Sequence, residues 1–315
     1  MSDMRAVCFT EFGDASVLSL ITLPKPSPGP GQVLVKVAAA TVNPTDLLFR
    51  AGARGALPPG VEPPYIAGMD LAGVIEEVGP EVTTWHAGDR VMAAVAPVVP
   101  GGGAQAEYRA VAEDQLAAVP DGWSLAEAAT LPMNGLTVRT ALDMLALPAG
   151  ASLAVTGSAG VVGQYAIQLG HRDGLTVIAD AKADDTALVE SFGAHQVVER
   201  GPGMAAAVRA LQPAGVDAVL DAALLGEAIL PAVRDGGQLL AVRAFDGETQ
   251  RGIAVKQVLV GQHLHEGHRI AELAALVTAG VLTLRVAEEI PAAQAAEAHR
   301  RLEAGGVRGR LVLTF

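Results

Sequence analysis

Residues 153–169 read LAVTGSAGVVGQYAIQL: an apolar run, then Gly157, Gly160 and Gly163 spaced three apart, then apolar residues at helical spacing. A strand ending near Thr156 and a helix starting near Val161 leave the peptide N–H groups of residues 160–163 unpaired and facing the strand's C-terminal side. That is an anion site, reinforced by the positive end of the helix dipole, and a dinucleotide pyrophosphate suits it. On this reading Ser158, Ala159, Gly160, Val161, Val162 and Gly163 form the cradle. Gly160 lets the phosphates approach the backbone, and Gly163 lets the helix pack close to the sheet. Ser158 takes the place of the first glycine in the usual G-x-G-x-x-G. Two other readings share the strand–turn–helix context. One is a plain turn; the other is a nucleophilic serine, with Ser158, Asp221 and either His263 or His299 in triad order, although Thr156 stands where the G-x-S-x-G elbow needs glycine. Asp180 favours the dinucleotide, because it ends the next strand 20 residues after Gly160, where a ribose-binding acid belongs. Its carboxylate would accept from a ribose diol and repel a 2'-phosphate, which favours NAD(H); Lys182 offsets that repulsion.

The elements that must position this loop follow from the surrounding pattern. From about residue 150, strand and helix alternate: TVIAD (176–180), a helix carrying Leu188, Val189 and Phe192, QVV (196–198), a helix near 204–211, VDAVLDA (216–222), a helix near 225–234, and GGQLLAV (236–242). Such alternation predicts a parallel sheet covered on both faces. IAVKQVLV (253–260) adds another strand, followed by a helix near 269–279 and a closing RGRLVLTF. Residues 1 to about 120 read differently, as short β runs bounded by Gly and Pro, among them 32–42, 71–79 and 89–96, with PKPSPGPGQ (24–32) as a surface turn. At 315 residues, half of them hydrophobic and nearly all of those aliphatic, the chain has core enough for two domains. No stretch reaches the roughly 20 apolar residues of a membrane span. The single cysteine, Cys8, rules out an internal disulfide and a multi-cysteine zinc site. The first residues carry charges and no apolar signal core, so the expected setting is the cytoplasm. A net charge of -12 without basic runs excludes nucleic acid and anionic membranes as partners. HLHEGH (263–268) is the one metal-like cluster and reads as a solvated loop at a domain junction.

Taken together, VNPTDLLFRAG (42–52), GMDLAGVIEEVG (68–79), GDRV (88–91), GAQAEYRAV (103–111), VPDGWSLAEAATLPMNGLT (119–137), the SAGVVG loop, FGA (192–194) and RGRLVL resemble the zinc-free, zeta-crystallin-like quinone oxidoreductases of the medium-chain dehydrogenase/reductase superfamily. The resemblance spans essentially the whole chain. It implies an α/β protein with a GroES-like β domain, residues 1–122 and 263–315, and a Rossmann domain, 123–262, inserted between them. It also implies a homodimer through the edge strand of the Rossmann sheet, for which IAVKQVLV is the candidate.

By this resemblance Asn43 and Met69 stand where metal-dependent relatives have a Cys and a His, so no zinc is expected. Asn43 and Thr137 would line the nicotinamide end, with Asp221 and Arg243 also on the coenzyme side. Thr45 is the expected hydroxyl donor to substrate oxygen, and Asp46 the residue that orients neighbouring backbone. The expected coenzyme is NADPH, with NADH possible because of Asp180. Without a Lewis acid, an acceptor must delocalise the incoming charge itself, as quinones and conjugated enones do. Leu47, Leu48 and Phe49 replace a tyrosine often found there in the family, which predicts a bulky apolar acceptor. An enoyl-thioester or polyketide-tailoring reductase and a non-catalytic, crystallin-like NADPH-binding protein are the alternatives.

Overall fold

A computed structural model describes residues 2–53 and 55–315, and these divide into two compact units. One comprises the chain up to Met133 with Gly261–Thr278 and Leu284–Phe315; the other comprises Asn134–Val260 and Ala279–Thr283. The first boundary lies beyond residue 122 because α2 (Leu125–Ala129) packs against β3 (Gln32–Thr41) and β5 (Asp70–Val78) of the first unit. The helix α3 (Pro132–Leu145) begins in the first unit and continues in the second.

In the first unit, β1 (Asp3–Phe9) pairs with β2 (Ser19–Pro24) and β4 (Tyr65–Ile66) in a small antiparallel sheet. A larger sheet runs β15 (Val286–Pro291), β16 (Arg310–Thr314), β3, β5, β6 (Arg90–Ala94), β8 (Leu116–Ala118), and β7 (Tyr108–Ala112) also pairs with β3. The helices α7 (Gly267–Thr278) and α8 (Ala295–Ala304) complete it. One of its cores is aliphatic, built on Val33, Val35, Leu71, Ile75 and Val91; the other mixes aromatic and aliphatic side chains, Phe9 and Phe49 with Leu311 and Leu313. Each such side chain contributes about 1.5–3 kcal/mol on burial. The register matters for function. Ala40 lies opposite Leu71 and Thr41 opposite Val312, so the last residue of β3 and the first residues of β5 and β16 meet at one end of three adjacent strands.

The second unit is a six-stranded parallel sheet in the order β11 (Gln196–Glu199), β10 (Thr176–Ala181), β9 (Ser152–Thr156), β12 (Val216–Asp221), β13 (Val233–Ala241), β14 (Ala254–Gln257). β9 is buried at every residue, as expected of a strand covered on both faces. The helices α4 (Val161–Arg172), α5 (Thr186–Ser191) and α6 (Met204–Leu211) make the crossovers. The expected helix near 225–234 is a 3-10 segment, Gly226–Ala232, because Pro231 inside it cannot donate an α-helical hydrogen bond. The strand order reverses between β9 and β12, the switch point outside which such sheets bind ligands.

Candidate active site

The glycine loop lies at that switch point. β9 ends at Thr156, Gly157 turns the chain at φ +69°, and α4 starts at Val161 with Gly160 as its N-cap. A Cβ on Gly163 would stand 2.6 Å from Ser158 Cα and against the Gly157 carbonyl, so only glycine lets α4 close on the loop. The first intrahelical bond is from Gln164 N to Gly160 O, at 2.9 Å, which leaves the amides of Val161, Val162 and Gly163 ahead of it. One expected donor is corrected. The Gly160 amide donates to Gly157 O at 3.0 Å, because the positive φ of Gly157 closes a tight turn. The cradle therefore rests on three amides.

The serine reading fails on burial and direction. Ser158 is fully buried, its hydroxyl donating to Val155 O at 2.9 Å and accepting from Asp180 N at 3.1 Å. His299 lies in the other unit beside Arg50, where burial and that guanidinium push its imidazole down to about 3. His263 and His265 turn to separate acids, Glu266 and Asp114, each at 2.8 Å.

Asp180 is 2% exposed, and its Oδ1 accepts from Ser158 N at 2.8 Å. Lys182, one residue past the end of β10, is exposed. Asp221 is buried as well: Oδ1 accepts from Thr156 Oγ1 at 2.6 Å and from Leu225 N at 3.1 Å, and Oδ2 from Gly226 N at 2.8 Å. It shapes the turn after β12. Beyond that turn lies a cavity of about 530 Å³ lined by Asp221, Leu224, Leu225, Arg243 and Phe245. Thr137 is buried in α3, within the second unit.

In the first unit Asn43 caps α1 (Pro44–Arg50), with Pro44 at its first position and Asp46 at its third. Asp46 Oδ2 accepts from Asn43 N at 2.8 Å and Oδ1 from Gly68 N at 3.0 Å, so it orients backbone on two segments. The Asn43–Pro44–Asp46 spacing is itself a helix-start signal that predicts α1. Thr45 Oγ1 donates to Met69 Sδ at 3.2 Å. The Asn43 amide is buried and fully engaged. Nδ2 donates to Thr41 Oγ1 (3.2 Å) and Asp70 Oδ2 (3.0 Å), and Oδ1 accepts from Arg310 Nη2. Asp70 also takes Thr41 Oγ1 at 2.6 Å and Met133 N at 2.6 Å, and lies 3.3 Å from Arg310 Nη2. Asp70 and Arg310 carry no local signal of this pairing, since 240 residues separate them.

Burial pushes the Asp46 carboxyl up to about 7; its two amide bonds and Arg310 pull it down, and Asp70 adds to the rise. The native state thus holds this proton more tightly than the unfolded chain. The resulting stabilisation is fully present below about pH 4 and is lost as pH rises through about 7. Asp46→Asn removes that slope, and urea unfolding midpoints measured from pH 4.5 to 7.5 for both proteins check it.

A doubly wound parallel unit with a glycine loop at its switch point, joined in one chain to a mostly antiparallel β unit, defines a dinucleotide-dependent dehydrogenase or reductase. The comparisons agree. Residues 29–121 match the alcohol dehydrogenase GroES-like domain family and residues 192–313 the zinc-binding dehydrogenase family. The chloroplast envelope quinone oxidoreductase homolog of Arabidopsis thaliana is 34% identical over 70% of this chain and 68% of its own. The chloroplastic NADPH-dependent alkenal/one oxidoreductase of the same plant is 33% identical over 76% of this chain and 62% of its own. The solved quinone oxidoreductase from Coxiella burnetii superposes with a TM-score of 0.87 at 28% identity, covering both chains completely. The chain belongs to the quinone oxidoreductase family of the medium-chain dehydrogenase/reductase superfamily. It is an oxidoreductase, and its family implies a nicotinamide coenzyme.

One of the matching families is named for zinc, and the donor set here does not fit that ion. The carboxamide of Asn43 already accepts from a guanidinium, Met69 offers a thioether, and the nearby Asp70 carboxylate pairs with Arg310. Among the described residues no three His, Cys, Asp or Glu side chains are grouped to hold a metal ion, and no helix is long and apolar enough to cross a membrane.

Proposed function

We propose that this protein is a zinc-independent, NAD(P)H-dependent reductase of quinones and conjugated enones. The observation that carries this reading is the Asn43 amide, taken on Oδ1 by Arg310 and on Nδ2 by Asp70, with that guanidinium in turn paired to Asp70, so that neither a metal ligand nor a free Lewis acid stands where metal-dependent relatives of the superfamily would place Zn²⁺ ligands. An acceptor reduced here must therefore spread its own developing negative charge, which quinones and enones do through conjugation.

A bound nicotinamide coenzyme supplies a hydride. The chain's residues do the rest. Val161, Val162 and Gly163 offer amides to the pyrophosphate at the positive end of α4, Thr137 serves the nicotinamide end, and Arg243 lines the cavity beside Asp221 on the coenzyme side. Asn43 and Asp46 hold the start of α1, and with it Thr45. The Thr45 hydroxyl donates only to a thioether, a weak acceptor, so it is readily redirected to a substrate oxygen. The names of the Arabidopsis relatives support both acceptor classes. The open edge of β14, unpaired on its outer side among the described residues, supports a homodimer.

Stopped-flow oxidation of NADPH and NADH with 1,4-benzoquinone, 9,10-phenanthrenequinone and a 2-alkenal tests the reading. Turnover of at least one acceptor without added metal, unchanged by a chelator, is expected. Tight coenzyme binding with no turnover of any acceptor would leave a binding protein instead.

A further inference from the structure

Asp180 and Ser158 hold each other. The Ser158 amide donates to the Asp180 carboxylate at 2.8 Å, the Asp180 amide donates to the Ser158 hydroxyl at 3.1 Å, and that hydroxyl donates to Val155 O at 2.9 Å. Both side chains are buried. The end of β10 is thereby fastened to the glycine loop beside it. The second carboxylate oxygen of Asp180 is also buried and has no hydrogen-bond partner; the nearest cation is Arg200, whose Nε lies 3.7 Å away.

Arg200 follows β11. Its amide donates to Ala181 O at 2.8 Å, which anchors it beside the end of β10, and its side chain is 41% exposed. Lys182 is exposed on the neighbouring strand end. The charged side chains that reach solvent where β10 and β11 end are the cations Lys182 and Arg200 and the acid Glu199, the last residue of β11, while Asp180 faces inward. Asp184 and Asp185 lie further on, in the turn that leads into α5.

We propose that Asp180 is a positioning residue for the phosphate-binding loop, and that Arg200, with Lys182, selects the coenzyme phosphorylated on its adenosine ribose. This rests on the nicotinamide-coenzyme reading given above and names which coenzyme that site takes. A guanidinium pairs with a phosphate through two parallel N–H···O bonds, whereas the Asp180 carboxylate, with Oδ1 on the Ser158 amide and Oδ2 buried toward Arg200, does not present the two open oxygens that grip a ribose diol. The acid's part is instead to keep the loop closed against α4, which serves NADPH and NADH alike.

Fluorescence titration of the full-length protein with NADPH and NADH, without substrate, separates the two roles. The wild type is expected to prefer NADPH. Arg200→Gln should lose about tenfold or more in NADPH affinity while NADH stays within about twofold, as for loss of a charge-assisted pair. Asp180→Ala removes the acceptor of the Ser158 amide. It should weaken both coenzymes by the same factor, leave their ratio unchanged and speed hydrogen exchange at Ser158. Asp180→Asn keeps an acceptor oxygen and should restore both affinities and the slow exchange. An unchanged ratio in Arg200→Gln, or a ratio moved toward NADPH in Asp180→Ala, overturns the proposal while leaving the reductase reading intact. A folded wild type that binds neither coenzyme overturns both.

Discussion

Gly163→Val is expected to lower kcat/KM with NADPH by roughly 100-fold or more, as for a displacement of about 1 Å in a binding element. The reason is steric and local. A Cβ at this position would stand 2.6 Å from Ser158 Cα and closer still to the Gly157 carbonyl, and both are backbone, without a rotamer to turn away. The first turn of α4 must retreat, taking with it the amides of Val161, Val162 and Gly163. The rest of the Rossmann core, centred on Val216, Val219, Val233 and Leu239, is not touched. Coenzyme fluorescence titration and steady-state kinetics measure the loss, and circular dichroism should show an intact fold. Gly203→Ala is the control: it lies in the same unit, its Cβ meets nothing within 4 Å, and it should bind coenzyme like the wild type. Near-normal affinity in Gly163→Val would mean the pyrophosphate does not rest on α4.

The second large effect is expected at Asp70 and Arg310. These are 1% and 6% exposed, and Asp70→Asn leaves the guanidinium without its nearest counter-charge. Breaking a buried pair in this way costs about 3–5 kcal/mol, mostly through the stranded charge. Arg310→Met in the Asp70→Asn background removes that charge and should recover most of the lost stability. It should not recover turnover, because Asn43 then lacks the donor to its Oδ1 and the start of α1 is less well held. Urea unfolding and steady-state kinetics of the wild type and the two variants separate the outcomes. Full recovery of kcat along with stability in the double variant would reduce the pair to a structural role. The site also predicts a split: kcat falls while coenzyme KM holds, since the amides of the glycine loop belong to the other unit.

Much of the coenzyme loop was legible in the chain because its chemistry is local. Three glycines at a fixed interval, a strand before and a helix after are all within 20 residues, and dihedral freedom and helix-end amides follow from residue type alone. The alternating second half likewise announced a parallel sheet, because periodicity is a property of neighbours. Asn43, Thr45 and Asp46 could be singled out as a group, and their spacing encodes the helix that carries them.

What only the tertiary structure decided is where each side chain turns. Asp180 ends its strand at the place a ribose acid would, yet its carboxylate closes on Ser158, because β9 and β10 are adjacent and the loop brings an unpaired amide within 2.8 Å. Arg310 meets Asn43 and Asp70 because β16, β3 and β5 lie side by side in one register. A one-dimensional pattern records which residues lie near each other along the chain. Strand order and register, set by how the apolar faces pack, determine which distant charges share a buried space.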